Sequence, residues 1–267
     1  MRIRSARKMN IQVADTSDVK NGHDNKAVGT QLPTRTFSVI VPTWNEERWL
    51  PILLNAITRE PSVSEIIVAD HSSSDDTVRI AVDSDCRLAC GGLPAVGRNA
   101  GARVAKEDIL LFIDADVKVT CEIFNVLMAK FQDPATSLVY FRMVPDSDQF
   151  FVKTAYKAAD LYARLCGLLG TSQGSAPLIG VRRHAFVEVG GFDERVSAAE
   201  DVDFIRRVGR QVGGVKYVRS TVLHVSARRF DLEAGRSYSV KCVIWGLLRW
   251  MGFRASLMPY KWERYSK

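Results

Sequence analysis

DILLFIDAD, residues 108–116, sets five consecutive apolar residues, Ile109 to Ile113, between Asp108 and the pair Asp114 and Asp116. A short unbroken apolar run of this kind predicts a strand covered on both faces. Three further strands are predicted upstream: FSVIV (37–41) closed by Pro42, EIIVA (65–69), and Cys86 to Cys90. Helical spacing fills the gaps. Trp49, Leu50, Leu53, Leu54 and Ile57 line one face of a segment from Glu46 to Arg59, and Ser74-Asp75-Asp76 offers N-cap chemistry before Thr77, Val78, Ile80 and Ala81. A third helix is expected over Gly97 to Ala105. Strands separated by helices imply an α/β fold, a doubly wound, mostly parallel, Rossmann-like sheet with helices on both faces. Such sheets bind ligands beyond the carboxyl ends of their strands, where Asp70 and Asp114 fall.

Downstream the strict alternation is lost. The pattern predicts a helix from Thr120 to Phe131, a strand from Leu138 to Val144, a long helix from Phe150 to Leu169, and a loop from Gly170 to Ala176. A strand at Pro177 to Val181 and helices at Arg183 to Val189 and Ala199 to Val212 follow, and no internal repeat is visible.

With 267 residues and 46% hydrophobic content, the chain can bury one substantial core. The expected division is a basic, disordered tail over 1–35, one catalytic domain over 36–230, and a C-terminal amphipathic helical segment over 231–267. The net charge of +7 is uneven: residues 1–35 carry 7 basic and 3 acidic side chains, residues 228–267 carry 9 and 3, and the body is acidic. Basic ends on an acidic body argue against a nucleic-acid partner and suit an anionic membrane surface. Val240 to Phe253 (VKCVIWGLLRWMGF) is strongly apolar but too short to span a bilayer, so it reads as an interfacial helix carrying Trp245 and Trp250, or as a helix docked on the core. The tail lacks a signal-peptide core, and Asp15, Asp18 and Asp24 argue against a transit peptide. Five cysteines, Cys86, Cys90, Cys121, Cys166 and Cys242, show no metal-ligand pairing and fit a reducing, cytoplasmic setting.

Two carboxylates one residue apart at the end of a buried strand repel each other unless a cation or donor neutralises them. In an extended chain Asp114 and Asp116 point the same way and could share a hard divalent ion with phosphate oxygens; alone, the pair reads equally as a solvated loop or helix cap. VIVPTWNEE (39–47), IIVADHSSSDDT (66–77), GRNAGA (97–102), the DAD, and GGFDE (190–194) with AED (199–201) occur in one order. In that order they resemble the family 2 glycosyltransferases of the GT-A fold, over roughly residues 37–230.

The resemblance implies a nucleoside diphosphate sugar donor, UDP- or GDP-linked. Pro42, Thr43, Trp44 and Glu46 would pack on the nucleotide, Asp70 would recognise the base, and Arg98 would contact the diphosphate. Asp114 would meet the ribose or metal shell, and Asp116 would ligate Mg²⁺ or Mn²⁺, joined by His224. Asp201 would be the general base of an inverting transfer, with Glu200 and Asp203 orienting it; simple acidic enrichment of a helix's first turn is the competing reading. The implied role of GRNAGA's small residues is to let the backbone approach the donor. Arg228 and Arg229 would bind diphosphate or begin the basic end. His71 departs from the family pattern, which leaves the nucleotide open, and Trp44 replaces a commoner Tyr or Phe. The acceptor is a hydroxyl or phosphate, and a lipid-linked one suits the basic ends. A nucleotidyltransferase is a rival reading, opposed by the absence of a Gly-rich triphosphate loop after the first strand; a catalytically silent nucleotide-binding protein is another.

Overall fold

The computed structural model describes residues 36–196 and 199–226; the tail, Arg228, Arg229 and the C-terminal segment lie outside the described residues. The chain begins β1 (Phe37–Thr43), α1 (Leu50–Ile57), β2 (Val63–Asp70), α2 (Thr77–Asp83), β3 (Arg87–Cys90), α3 (Pro94–Val104), β4 (Ile109–Ile113). It continues β5 (Val117–Lys118), α4 (Cys121–Gln132), β6 (Leu138–Asp146), α5 (Phe150–Leu168), β7 (Leu178–Arg182), α6 (Arg183–Glu188), α7 (Glu200–Gln211) and β8 (Val215–Ser226). One eight-stranded sheet results, in the order β3-β2-β1-β4-β7-β6-β8-β5.

The largely apolar run of β1 and the unbroken one of β4 have a direct structural cause. Side chains alternate across a strand, and both faces of this sheet are covered. Val39, Val41, Leu111 and Ile113 enter a core with Leu50, Leu54, Phe124 and Leu127 from α1 and α4. Ile40, Leu110 and Phe112 enter the opposite core with Phe192, Phe204 and Val208. The first four strands are parallel, as the βα pattern predicts. Strand β7 then runs antiparallel between β4 and β6, and β5 antiparallel to β8, so the complete sheet is mixed.

Several boundaries differ from the sequence expectation, α3 starting at Pro94 and β6 ending at Asp146 among them. Helix α1 starts at Leu50 rather than Glu46, because the Glu46 carbonyl accepts from both Trp49 N and Leu50 N in a preceding turn. Pro51 then sits in the first helical turn, where a missing N–H costs nothing. Strand β8 extends well beyond the Thr221 to His224 run, with a register shift against β6 between Phe141 and Arg142. The two-residue β5 has no periodicity to detect.

Helix α3 lies unusually close to β1. A Cβ on Gly101 would overlap the Ile40 side chain, and one on Gly97 would touch Pro42 Cβ at 3.5 Å. Gly97 and Gly101 of GRNAGA therefore admit the helix to the sheet. Gly101→Ala should destabilise by about 1–3 kcal/mol, because buried Ile40 must leave its place to accommodate a methyl. Urea unfolding checks this, and a change within about 0.5 kcal/mol, the range of an ordinary surface substitution, would contradict the tight contact.

Candidate active site

The carboxyl ends of β1 and β2 are stitched together before any ligand arrives. Thr43 Oγ1 donates to Asp70 Oδ1 at 3.0 Å, and Ser73 donates to the same carboxylate through its N–H at 2.8 Å and its hydroxyl at 2.5 Å. Asn45, held at φ 55°, receives Ser74 N on its side-chain oxygen, and its own N–H donates to Ser73 Oγ at 2.8 Å. Glu46 is buried, its N–H donating to Thr77 Oγ1. Trp44 meets His71 edge-on with centroids 5.3 Å apart, so the residue that departs from the family pattern becomes part of an aromatic wall beside Asp70. Thr43 is buried and orients Asp70, while Trp44 and Asp70 are only half-buried.

The expected extended DAD is a turn. Val117 N donates to the Asp114 carbonyl, and Asp114 N donates to Pro177 O. Asp114 turns to Arg98, whose Nη2 lies 2.7 Å from its Oδ1. The other end of the guanidinium, Nη1, lies 2.5 Å from Glu200 Oε1 at the start of α7. Arg98 is thus occupied by two carboxylates, where the sequence placed a diphosphate contact. Phe192 lies under it, 5.3 Å from Cζ to the ring centroid, and stacks on Phe204 at 4.2 Å.

Burial opposes the charge on Arg98, but Asp114, Glu200 and Asp201 together outweigh it and hold the guanidinium firmly protonated. Glu200 is pushed above the usual carboxylate range, first by burial and further by Asp201, with Arg98 pulling the other way. Three carboxylates around one cation raise Arg98, whereas burial, helped by repulsion from Asp201, raises Glu200 against the pull of Arg98.

GGFDE supplies the aromatic floor of this ion cluster through Phe192. Gly190 and Gly191 take φ values of 76° and 71°, a conformation that side chains rarely adopt. A Cβ on Gly191 would strike Asn99 Oδ1, the atom that accepts the Phe192 N–H; Asn99 Nδ2 in turn donates to Phe192 O and Glu194 Oε1. Asn99, adjacent to Arg98 on α3, was not singled out from the sequence; its only signal is its place in GRNAGA.

Asp201 is buried and well anchored. Oδ2 accepts Ser175 Oγ at 2.6 Å and Ala176 N at 2.7 Å, and Oδ1 accepts Val202 N at 2.8 Å. Ser175 and Ala176 belong to the loop that follows α5, and composition alone did not mark them as partners. Asp203 faces away, paired with Arg207 at 2.7 Å and Arg206 at 3.5 Å, so it braces α7 instead of assisting Asp201.

His224 is not at a strand end. It lies within β8, exposed, opposite Lys118 of β5, while Ser226 N reaches the Asp116 carbonyl two residues further along. Among the described residues no three His, Cys, Asp or Glu side chains cluster closely enough to hold a metal ion. Asp116 and His224, on paired segments of the same sheet edge, are suitable in type for Mg²⁺ or Mn²⁺ only if other oxygens complete the shell, as a diphosphate would.

The model of glycosyl transferase family 2 matches residues 38–189, from β1 through α6. The chain belongs to this family. Relatives in it include an uncharacterized glycosyltransferase of Haemophilus influenzae, 28% identical over 187 residues, covering 64% of this chain and 61% of that protein. Poly(ribitol-phosphate) β-N-acetylglucosaminyltransferase TarS of Staphylococcus aureus is 24% identical over 223 residues, covering 76% of this chain and 37% of that one. The chain therefore spans less than two thirds of either relative. Among solved structures, glucosyl-3-phosphoglycerate synthase of Mycobacterium tuberculosis, crystallised with Mn²⁺, UDP and glucosyl-3-phosphoglycerate, superposes with a TM-score of 0.61 at 21% identity, covering 82% of this chain and 81% of that one. TarS residues 1–349 give 0.58 at 19%, covering 80% and 65%. These likenesses establish the GT-A fold for this family 2 chain.

Removing the guanidinium leaves two carboxylates unpaired and largely desolvated, the costly way to break a buried pair. Arg98→Ala should lose about 3–5 kcal/mol in urea unfolding. Arg98→Lys should recover only part of it, since an ammonium cannot present a planar fork to both partners. A loss below about 1 kcal/mol for Arg98→Ala, the size of an exposed pair, would show that the triad does not hold the site together.

Proposed function

We propose that this protein transfers a sugar from a UDP- or GDP-sugar to an acceptor hydroxyl or phosphate, with inversion at the anomeric carbon. The observation that carries the reading is the ion triad: Arg98 ties Asp114, at the start of the DAD turn, to Glu200, the first residue of the helix that carries Asp201. On this reading the nucleotide lies over Pro42, Thr43, Trp44 and Glu46, with Asp70 reading the base. Arg98 is a positioning residue, aiming Asp114 at the ribose or the metal shell. Asp116 and His224 would hold Mg²⁺ or Mn²⁺, which when bound neutralises charge on the departing diphosphate.

Asp201 takes the acceptor proton. The acceptor oxygen forms a bond to the anomeric carbon as the bond from that carbon to the diphosphate oxygen breaks, and the proton passes to the Asp201 carboxylate. Three donors fix that carboxylate, yet its two oxygens have capacity for more, so the acceptor hydroxyl can still be received. The fixed Ser175 and Ala176 contacts support orientation of the base over a capping role alone. The solved relative's Mn²⁺ and UDP support the donor and cofactor classes. A lipid-linked acceptor, met at the cytoplasmic face of a membrane through the basic C-terminal segment, completes the proposal.

The rival nucleotidyltransferase reading meets a turn after β1 that contains no glycine, TWNEER, closed by Asn45 and Glu46 against the β2 loop. Turnover of a panel of UDP- and GDP-sugars, with cell extract as acceptor source and Mn²⁺ present, tests the assignment. Asp201→Asn should lower turnover by about 10²–10⁴-fold while leaving donor affinity nearly unchanged. Asp116→Ala should weaken donor binding itself. Full turnover in both variants would remove the proposal, and nucleotide binding without turnover in the unaltered protein would favour the silent binding protein.

A further inference from the structure

Helix α5 buries one face and leaves another apolar face uncovered. Val152, Ala163 and Cys166 are buried against the sheet. On the far side Phe150, Leu161, Leu165 and Leu168 recur at helical spacing, 84%, 52%, 50% and 83% exposed, and Leu169 adds 73% just beyond the helix. Scattered exposed apolar residues are ordinary; here Leu161, Leu165, Leu168 and Leu169 gather on the last turns of the helix, with Phe150 on the same face at its start, and a patch of this kind marks an interaction surface. Along one flank of the stripe stand Lys153, Lys157 and Arg164, all exposed, with Lys153 paired to exposed Asp148.

We propose that this stripe and its cationic flank dock α5 into an anionic lipid bilayer surface, lying in the interface without crossing it. An apolar stripe with cations beside it is the pattern of an interfacial helix, and among the described residues no helix is long and apolar enough to cross a membrane. Charge separates the bilayer from the other occupants. The chain's own C-terminal segment follows β8, whose Ser226 is paired with Asp146 just before α5, but residues 228–267 carry 9 basic and 3 acidic side chains. Laid on α5, they would set cation beside cation; directed with α5 at an anionic surface, both are satisfied. A second copy laid on the stripe brings the same three cations with it.

The position of α5 also bears on substrate choice. Leu169 leads through Gly170, at φ 70°, into the loop whose Ser175 and Ala176 donate to Asp201. A bilayer holding α5 therefore lies within a few residues of the proposed base, which selects an acceptor carried by the lipid phase. This consequence rests on the transferase reading, whereas the docking does not.

Vesicle co-sedimentation of the full chain tests the docking, with phosphatidylcholine alone and mixed with phosphatidylglycerol. The mixed vesicles should bind the protein, and binding should weaken with salt. Replacing Leu161, Leu165 and Leu168 by Ser, or Lys153, Lys157 and Arg164 by Glu, should each weaken binding at least about tenfold. Far-UV circular dichroism verifies folding, and Leu168→Ser alone, at the most exposed of the three leucines, serves if a triple variant misfolds. Failure to bind mixed vesicles overturns the proposal, as does wild-type binding by both triple variants, which would assign the contact to the C-terminal segment. A dimer that becomes monomeric on leucine replacement, detected by light scattering, overturns it in favour of a second copy. Because no sugar nucleotide is present, loss of transfer activity and loss of docking are read separately.

Discussion

A single guanidinium, that of Arg98, is bound to two carboxylates that come from different elements of the fold. Asp114 follows β4, and Glu200 begins the helix that carries Asp201. Neither acid would be tolerated in so desolvated a place without it, and Arg98 would not be tolerated without them. The neighbouring architecture serves the same contact. Gly101 brings α3 onto β1, Asn99 fixes the GGFDE turn, and Phe192 closes the underside of the arginine.

The pairing also divides the DAD. Val117 N closes a turn on the Asp114 carbonyl, so the DAD is not the extended strand end that the sequence suggests. Asp114 has its charge matched by protein, and Asp116 sits nearer the β5–β8 edge that holds His224. A donor diphosphate bound between them would meet a fixed positive charge behind Asp114 and supply oxygens to any ion at Asp116.

Local signals made part of this legible. The runs 37–41 and 109–113 were read as buried strands because both their faces are covered, which leaves no polar alternation to confuse them. Asp70 at the end of β2, Asp114 just after β4 and Asp201 in the first turn of α7 stand where the sequence pattern puts the ends and starts of these elements. What remained hidden depends on contacts distant in sequence. Arg98 reads as a surface or phosphate-binding arginine until Glu200, more than a hundred positions away, is brought to it. Ser175 lies in a polar loop with no periodicity, and its bond to Asp201 is a tertiary event. Strand β5 is too short to have a pattern, and the bulge that interrupts β8 breaks the alternation that would have revealed its length.

The central claim is that a nucleoside diphosphate binds at this cleft together with a divalent ion held on the Asp116 side. Thermal melting of the full chain with UDP or GDP, each with and without Mn²⁺, measures this directly, since a ligand that binds only the folded state raises the melting temperature. The account predicts stabilisation by one of the two diphosphates that requires the metal and disappears in Asp116→Asn. Equal stabilisation without metal, or an undiminished metal-dependent shift in that variant, would contradict it.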